Sequence, residues 1–248
     1  MKEEIRLAVS ANKLTKKFGD FIATDSLDLA VAKGEIFGFL GANGAGKTTA
    51  MRMLCGLLKP TSGEAKVAGF DVYRQPEQIK KSIGYMSQKF SLYDDLKVKE
   101  NISLYGGIYG LSFKKIKEKT GQIISDLNLS SVENKLVSAI PLGWKQKLAF
   151  AIAQIHEPEI IFLDEPTGGV DPLTRREFWE SIYKSADKGL TVFVTTHYMD
   201  EAEYCHRVSI MVDGKVKALD TPSALKKMFK ADSMNAVFTE LARGTSTK

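Results

Sequence analysis

The 248-residue chain is 44% hydrophobic and 26% charged, with a formal net charge of +5 at pH 7. That balance is typical of a soluble globular protein, and the length fits one large α/β domain. No apolar run approaches the roughly 18 residues that a membrane-spanning helix needs, and the start, Met1-Lys-Glu-Glu-Ile-Arg6, lacks the apolar stretch of a secretory signal. The lysines are scattered, which favours a solvated surface over a nucleic-acid-binding one.

Strand-like and helix-like segments alternate along the chain. In order, the pattern predicts β-like pieces over 7–31 broken at 18–20, a strand over 35–40, a helix over 48–58, strands over 64–68 and 82–86, a mostly helical region over 98–154, strands over 159–163, 191–195 and 207–212, and helices near 175–186 and 199–204. Strands that alternate with helices imply a parallel sheet with both faces covered. The helical region is therefore expected to be an insertion into an α/β domain.

A glycine-rich loop stands between the strand over 35–40 and the helix that follows it. It reads Gly41-Ala42-Asn43-Gly44-Ala45-Gly46-Lys47-Thr48-Thr49 and matches the phosphate-binding pattern G-x-x-x-x-G-K-[ST] in its required context. Its glycines let the backbone turn tightly and present N–H groups to phosphate oxygens, and the helix start adds its positive dipole end. Lys47 is expected to reach the β- and γ-phosphates of ATP, and Thr48 to help hold Mg²⁺. The alternative, a glycine-rich turn that happens to carry a lysine, fits this context poorly.

Two acids end the apolar strand Ile160-Ile-Phe-Leu163. Asp164 is suited to hold Mg²⁺, and Glu165 is suited to polarise the water that attacks the γ-phosphate. Acids often cap a strand-to-helix turn, so the pair alone is weak evidence. Together with the glycine-rich loop it predicts an ATP-hydrolysing site.

His197 follows the apolar stretch Val192-Phe-Val-Thr-Thr196. Ligands of open parallel sheets bind outside the carboxyl ends of the strands. A lone histidine is more often structural than functional, but this position favours a role at the nucleotide.

Taken in order, these motifs resemble the nucleotide-binding domains of ABC proteins, and the likeness covers nearly the whole chain. The resemblance implies an α/β fold with a P-loop NTPase core, a mixed, mostly parallel sheet, an N-terminal antiparallel β-subdomain and an inserted α-helical subdomain. It implies a single domain over 1–248, with the core and β-subdomain in about 5–97 and 156–230, the helical subdomain in about 98–155 and a tail in 231–248. The polar end of that tail, 243–248, is predicted to be disordered.

The resemblance also assigns individual roles. Phe18 matches the aromatic residue that stacks on adenine, and Gln88 matches a glutamine that senses Mg²⁺ and moves with a membrane partner. Asp171, in Gly168-Gly-Val-Asp171, matches an aspartate that touches the opposite subunit, and His197 matches a switch histidine at the γ-phosphate. The expected catalytic residues are therefore Lys47, Gln88, Glu165 and His197, and the expected Mg²⁺ ligands are Thr48, Gln88 and Asp164.

One motif departs from the family pattern. Where the family signature usually reads Leu-Ser-Gly-Gly-Gln, this chain has Ile140-Pro141-Leu142-Gly143-Trp144-Lys145-Gln146. Pro141 supplies neither a hydroxyl nor an N–H, and Leu142 stands where glycine permits close approach. Either the signature is defective, or Pro141 starts the next helix and the amides of Leu142, Gly143 and Trp144 still face the phosphate of the other subunit. We favour the second reading, because proline is suited to a first helical position. The Pro-Leu-Gly-Trp-Lys-Gln form also resembles a subset of bacterial exporter ATPases.

The stretches Asp164–Pro172 and Thr195–Glu203 resemble ATPases of ABC-2-type multidrug exporters. The likeness implies hydrolysis of ATP to ADP and phosphate, powering export through separate membrane-spanning permease subunits of the ABC-2 type. Two such domains, as a homodimer or heterodimer, would sandwich two ATP molecules. The chain is then expected in the cytoplasm, on the cytoplasmic face of the inner (plasma) membrane. The alternatives are a soluble ABC ATPase acting on nucleic acid or ribosomes and a low-turnover nucleotide sensor. We expect no nucleic-acid partner, because such ATPases usually carry two domains or a coiled-coil insertion.

Overall fold

The computed structural model of the chain describes residues 6–89 and 91–243. Its strands are β1 (Leu7–Phe18), β2 (Phe21–Ala32), β3 (Ile36–Leu40), β4 (Ser62–Val67), β5 (Phe70–Asp71), β6 (Ile83–Met86), β7 (Ile160–Asp164), β8 (Thr191–Thr196), β9 (Arg207–Val212) and β10 (Lys215–Asp220). Its α-helices are α1 (Lys47–Leu54), α2 (Pro76–Ser82), α3 (Val98–Ile108), α4 (Phe113–Asp126), α5 (Leu142–Ala153), α6 (Pro172–Ala186), α7 (Pro222–Met228) and α8 (Met234–Arg243), and 3-10 helices cover Val137–Ala139 and Met199–Tyr204.

The larger sheet carries the functional edge of the molecule. Its strand order is β10-β9-β3-β8-β7-β6, in which β10 is antiparallel to β9 and the remaining neighbours are parallel. Strands β3, β7 and β8 are buried along their whole length, because helices or the smaller sheet cover both faces. Their carboxyl ends lie at one edge, so the glycine-rich loop, Glu165 and His197 come together there.

Side-chain alternation divides the core between the two faces of this sheet. Phe37 and Phe39 of β3 belong to a cluster with Phe193 and the buried residues of α1, whereas Ile36 and Leu40 belong to a second cluster under α6. The rings of Phe37 and Phe193 lie 5.4 Å apart. Burial of each such ring contributes about 2 kcal/mol, so the strands that position the site are held firmly.

The smaller sheet, β2-β1-β4-β5, is antiparallel throughout. The hairpin of β1 and β2 turns at Gly19, whose φ of 57° suits glycine, and it pairs Phe18 with Phe21. The buried residues of this sheet join the cluster around α1. The predicted antiparallel β-subdomain is therefore confirmed.

The inserted region has a core of its own. Helices α3, α4 and α5 bury Val98, Ile102, Ile124 and Leu148 in a third cluster, separate from the other two. The start of α4 is defined locally, because the Ser112 side chain accepts a hydrogen bond from the amide of Lys115. The predicted α-helical subdomain is confirmed.

Several predicted boundaries were wrong. Helix α1 ends at Leu54 rather than at 58, because Gly56, with φ 66°, turns the chain away. The helix α2, with Pro76 at its first position, was missed and includes Ser82, which was assigned to a strand.

The segment 231–248, expected to be a tail, contains helix α8, whose Met234 and Val237 are buried in the second cluster. The helix reaches Arg243, and the predicted disorder of 244–248 lies outside the described residues. Within the described part of the chain, no helix combines the length and apolarity that crossing a membrane requires.

Candidate nucleotide-binding site

The glycine-rich loop packs tightly on the backbone around it. A side chain at Gly46, which has φ 101°, would overlap the carbonyl oxygen of Ala23, and one at Gly41 would meet that of Met211. The amide of Gly214 donates to the carbonyl of Ala45 at 3.0 Å. The loop is therefore fixed by strand β2 on one side and by β9 with its following turn on the other.

Lys47, the first residue of α1, is buried inside the loop. Its Nζ donates to the carbonyl oxygens of Gly41 at 2.8 Å and Ala42 at 3.1 Å, and lies 3.5 Å from Oε1 of Glu165. Burial lowers the pKa of Lys47, and the neighbouring Glu165 opposes that shift. The ammonium group is held at the centre of a loop whose amides suit phosphate.

Asp164 and Thr48 form the pair best suited to Mg²⁺. Oδ1 of Asp164 accepts from Oγ1 of Thr195 at 2.7 Å and from Oγ1 of Thr48 at 3.4 Å. Burial raises the pKa of Asp164, and the hydrogen bond from Thr195 opposes the shift, so a cation beside the carboxylate would relieve that cost. Mg²⁺ usually takes only one or two protein oxygens besides phosphate and water. A carboxylate oxygen of Asp164 beside the hydroxyl of Thr48 fits that requirement.

Glu165 is the meeting point of the predicted catalytic residues. Its Oε2 accepts from Nε2 of Gln88 at 3.1 Å and lies 3.0 Å from Nδ1 of His197. Its amide donates to the carbonyl and to the hydroxyl of Thr195, each at 3.1 Å. Glu165 has a φ of 47°, which is uncommon for a residue with a side chain. Two contacts from Gln88 and His197 thus hold the carboxylate beside Lys47, and the two hydrogen bonds of the amide fix the backbone that carries it.

A cavity of 470 Å³ opens over the loop. It is lined by Phe21, Ala23, Asn43, Gly44, Gly46, Lys47, Thr48, Thr49, Gln88 and Glu165. The aromatic residue in its wall is Phe21, which is 66% exposed. Phe18, expected to stack on adenine, does not line the cavity; it lies across the hairpin from Phe21, with Nζ of Lys16 5.1 Å from its ring centre.

The start of α5 differs from the expected arrangement. The helix begins at Leu142, so Pro141, with φ −58° and ψ 152°, precedes the first helical position instead of filling it. The amide of Trp144 donates to the carbonyl of Pro141 at 3.0 Å, so the prediction that it faces a phosphate was wrong. The amides of Leu142 and Gly143 donate to no acceptor among the described residues, and the Leu142 side chain is 44% exposed.

Asp171 and Gly143 lie on two helix starts that meet. A side chain on Gly143 would press against Cγ2 of Thr174 at 2.7 Å. Asp171 caps α6, accepting from the amides of Leu173 and Thr174 at 3.0 Å and from Oγ1 of Thr174 at 2.6 Å. These hydrogen bonds, that of the Thr174 hydroxyl foremost, lower the pKa of Asp171. Within this chain Asp171 is a helix cap.

Two residues of the site, Thr195 and Phe21, were not predicted, and one contact of Gln146, which belongs to the predicted 140–146 stretch, was missed. Thr195 binds both acids, and its position two residues before His197 was the available signal. Phe21 is placed beside the cavity by the β1–β2 hairpin, whereas the sequence indicated only a break between β-like pieces at 18–20. Gln146, fully buried, donates from Nε2 to the carbonyl of Pro166 at 2.6 Å and so ties α5 to the residue after Glu165.

Comparison with known proteins gives a consistent picture. A family model described as "ABC transporter" matches residues 24–168, more than half of the chain. The probable multidrug ABC transporter ATP-binding protein YbhF of Escherichia coli is 52% identical over 88% of this chain. The matched region makes up only 38% of the length of YbhF. The daunorubicin resistance ATP-binding protein DrrA2 of Streptomyces coeruleorubidus is 36% identical over 95% of this chain and 73% of its own length.

A solved structure supports the same grouping. A dimeric ATP-binding cassette in a post-hydrolysis state, bound to ADP and Pi, has a TM-score of 0.77 and 26% identity, covering 86% of this chain and 98% of that one. The resemblance predicted from the motifs is confirmed. The chain belongs to the ABC transporter family, as one of its ATP-binding cassettes.

Proposed function

We propose that this chain hydrolyses ATP to ADP and phosphate and thereby powers export through separate membrane subunits. The observation that carries the proposal is the convergence of Gln88, His197 and Lys47 on Glu165, beside a loop built for phosphate. A carboxylate fixed from several sides next to a phosphate-binding loop is suited to activate water.

Each residue then has a distinct task. The loop amides and Lys47 bind the phosphates, which replace the carbonyl oxygens of Gly41 and Ala42 as partners of the ammonium group. Thr48 and Asp164 would hold Mg²⁺, which when bound neutralises phosphate charge. Glu165 accepts the proton of the attacking water. His197 contacts Glu165 through Nδ1, which leaves its other ring nitrogen for the γ-phosphate.

The same site needs a second subunit. The amides of Leu142 and Gly143, at the exposed start of α5, are suited to the γ-phosphate bound by a partner, with the helix dipole behind them. The dimeric state of a similar cassette supports this arrangement. A homodimer and a heterodimer both satisfy the geometry, and in either the residues 140–146 of one chain complete the site of the other.

A groove of 700 Å³ between the core and the helical subdomain is suited to a membrane partner. It is lined by Cys55, Leu57, Glu77, Lys80, Lys81, Ile83, Tyr85, Tyr105, Ile108, Tyr109 and Gly110. Leu57 and Ile108 are exposed apolar residues. Lys80 is paired with Glu77 of the same groove at 2.8 Å, whereas Lys81 favours an acidic flank on the docking segment. Strand β6 leads from this groove to Gln88, so docking and hydrolysis share one strand.

The assignment to export rests on the relatives. Those compared above are named for multidrug transport and daunorubicin resistance, which supports permease subunits of the ABC-2 type as partners and a place on the cytoplasmic face of the membrane. They give no support to the alternative of an ATPase acting on nucleic acid or ribosomes.

Hydrolysis is tested by Glu165→Gln in the full chain, with Glu64→Gln as the control at an exposed acid on β4. We expect Glu165→Gln to bind ATP normally and to lose at least about 100-fold in turnover, because general-base catalysis is worth that much. The control is expected to keep the wild-type rate. Near-normal hydrolysis by Glu165→Gln would remove Glu165 from its assigned role. A wild-type chain that binds ATP but does not turn it over, with or without membrane subunits, would favour the nucleotide sensor instead.

The membrane partner is tested at the groove. Ile108→Glu is expected to abolish co-purification with the permease and its stimulation of ATPase activity, while leaving the basal rate unchanged. Met228→Glu, at an equally exposed apolar residue on α7, is the matched control. Equal behaviour of the two variants would contradict docking at the groove.

A further inference from the structure

A buried carboxylate outside the site described above connects the segments that follow strands β7 and β8. Glu201, in the 3-10 helix Met199–Tyr204, is completely buried. Its Oε1 accepts from Oγ1 of Thr167 at 2.5 Å and lies 3.5 Å from Nε of Arg175. Its Oε2 has no hydrogen-bond partner among the described residues. A buried charge with an incomplete set of partners is costly, so packing alone gives no reason for a carboxylate here.

The position of Glu201 along the chain is informative. It stands four residues after His197, whereas Thr167 stands two residues after Glu165. The hydrogen bond between Glu201 and Thr167 therefore links the segment that follows β8 to the loop that follows β7. Those are the two segments that carry the histidine and the carboxylate of the hydrolytic site.

Arg175 extends this link to the ring of His197. The guanidinium of Arg175, on α6, lies 4.3 Å from the ring centre of Tyr198, a distance typical of a cation–π contact. The Tyr198 ring in turn lies 4.1 Å, centre to centre, from the imidazole of His197. The Arg175 guanidinium lies 3.5 Å from two carboxylates. That of Glu201 is buried, whereas that of Asp200 is exposed.

We propose that Glu201 and Arg175 are positioning residues for ATP hydrolysis. Through Tyr198 they hold the imidazole of His197 against Glu165, and through Thr167 they fix the loop that runs to Asp171 and the second subunit. Neither residue lines the cavity over the glycine-rich loop. The proposal rests on the hydrolytic function proposed above and adds the residues that set its geometry.

The two links can be separated by conservative substitutions. Thr167→Val removes the hydroxyl that Glu201 accepts and keeps the shape of the side chain, whereas Thr167→Ser keeps the hydroxyl. Arg175→Ala removes the support of Tyr198. Arg176→Ala is the matched control, since Arg176 is the next residue on the same helix, is exposed, and forms an ion pair with Glu180.

The test combines steady-state ATPase kinetics of the full chain with an ATP-binding titration. We expect Thr167→Val and Arg175→Ala to lower kcat about tenfold or more while the Kd for ATP stays within about twofold, because the phosphate loop keeps its own contacts. Thr167→Ser is expected to restore most of the rate, and Arg176→Ala to match the wild type. A loss shared equally by kcat and ATP affinity, or no rescue by Thr167→Ser, would overturn the proposal.

A second readout does not depend on turnover. The chain has 3 histidines, so the imidazole resonances of His197 can be assigned by NMR with a His197→Ala reference. We expect Arg175→Ala to shift these resonances and Arg176→Ala to leave them in place. Unchanged His197 resonances in a folded Arg175→Ala chain would contradict the positioning role. A wild-type chain without ATPase activity that nevertheless gave the expected shift would instead count against the hydrolytic function.

Discussion

The glycine-rich loop and the start of α5 both face phosphate in the proposed mechanism, but they are built in opposite ways. In the loop, Lys47 already has carbonyl and carboxylate partners inside the chain, and glycines are packed against neighbouring strands. At the start of α5, the amides of Leu142 and Gly143 have no acceptor among the described residues, and Leu142 is exposed. The polar groups of the first region find their partners when the chain folds, whereas in the proposed mechanism those of the second region find them only when two chains assemble.

The sharpest way to separate the two regions is Leu142→Glu, which brings negative charge to the surface that approaches the partner's phosphates in the proposed dimer. We expect turnover to fall at least about tenfold, because like charges at a close interface cost several kcal/mol, while ATP binding by the single chain stays within about twofold. ATPase kinetics and an ATP-binding titration measure the two effects.

Leu136→Glu is the matched control for that variant, because Leu136 has the same 44% exposure as Leu142 and lies outside the α5 start. It is expected to leave turnover unchanged. Weakened ATP binding by Leu142→Glu would show that the two regions do not act independently.

A pH titration probes the loop alone. Burial lowers the pKa of Lys47, so in the free chain this lysine loses its proton at a lower pH than an exposed lysine. The neutral amine binds phosphate weakly, and ATP affinity should therefore fall severalfold as the pH rises through that lowered pKa and be fully present below it. Binding titrations between pH 7 and about 10 measure the effect. Lys47→Arg, which keeps its charge, should bind more weakly at neutral pH but lose the alkaline step; a step retained in that variant would assign it to another group.

The smallest effect is expected from Pro141→Ser, which restores the usual serine of the family signature. Since α5 already begins at Leu142 with two amides available, we expect an ATPase rate within about twofold of the wild type. A serine before the first helical residue caps a helix well and stabilises it by about 1 kcal/mol, so the melting temperature should rise slightly. A large increase in the ATPase rate would support the defective-signature reading.

Predictability from sequence differed between the same two regions. The loop residues, Asp164, Glu165 and His197 could be found because each follows a buried apolar strand, and parallel strands bring their carboxyl ends to one edge. The contacts that complete the site could not: Thr195, Phe21 and Gln146 act through neighbours distant in sequence. The predicted helix start at Pro141 was one residue too early, and that residue decides which amides are left without a helical acceptor.

The sheet and the helical insertion could be predicted from hydrophobic periodicity, whereas the terminal helix and the helix ends could not. The buried strands and the helical insertion carry strong patterns over many residues. Helix α8 was missed because 234–243 follows a polar stretch, and its burial depends on a surface formed by other elements. The end of α1 depended on the backbone of Gly56, which composition alone does not reveal.

The hydrogen bond from Gln146 to the carbonyl of Pro166 has a consequence for a two-site assembly. In the proposed mechanism, Gln146 belongs to the stretch that meets the partner's ATP, and Pro166 is bonded to Glu165, the residue proposed to activate water at the chain's own ATP. A displacement of a few tenths of an ångström at either place must be accommodated at the other. In the proposed dimer, this hydrogen bond connects the two nucleotide sites through the protein, so we expect a change at one site to alter the other.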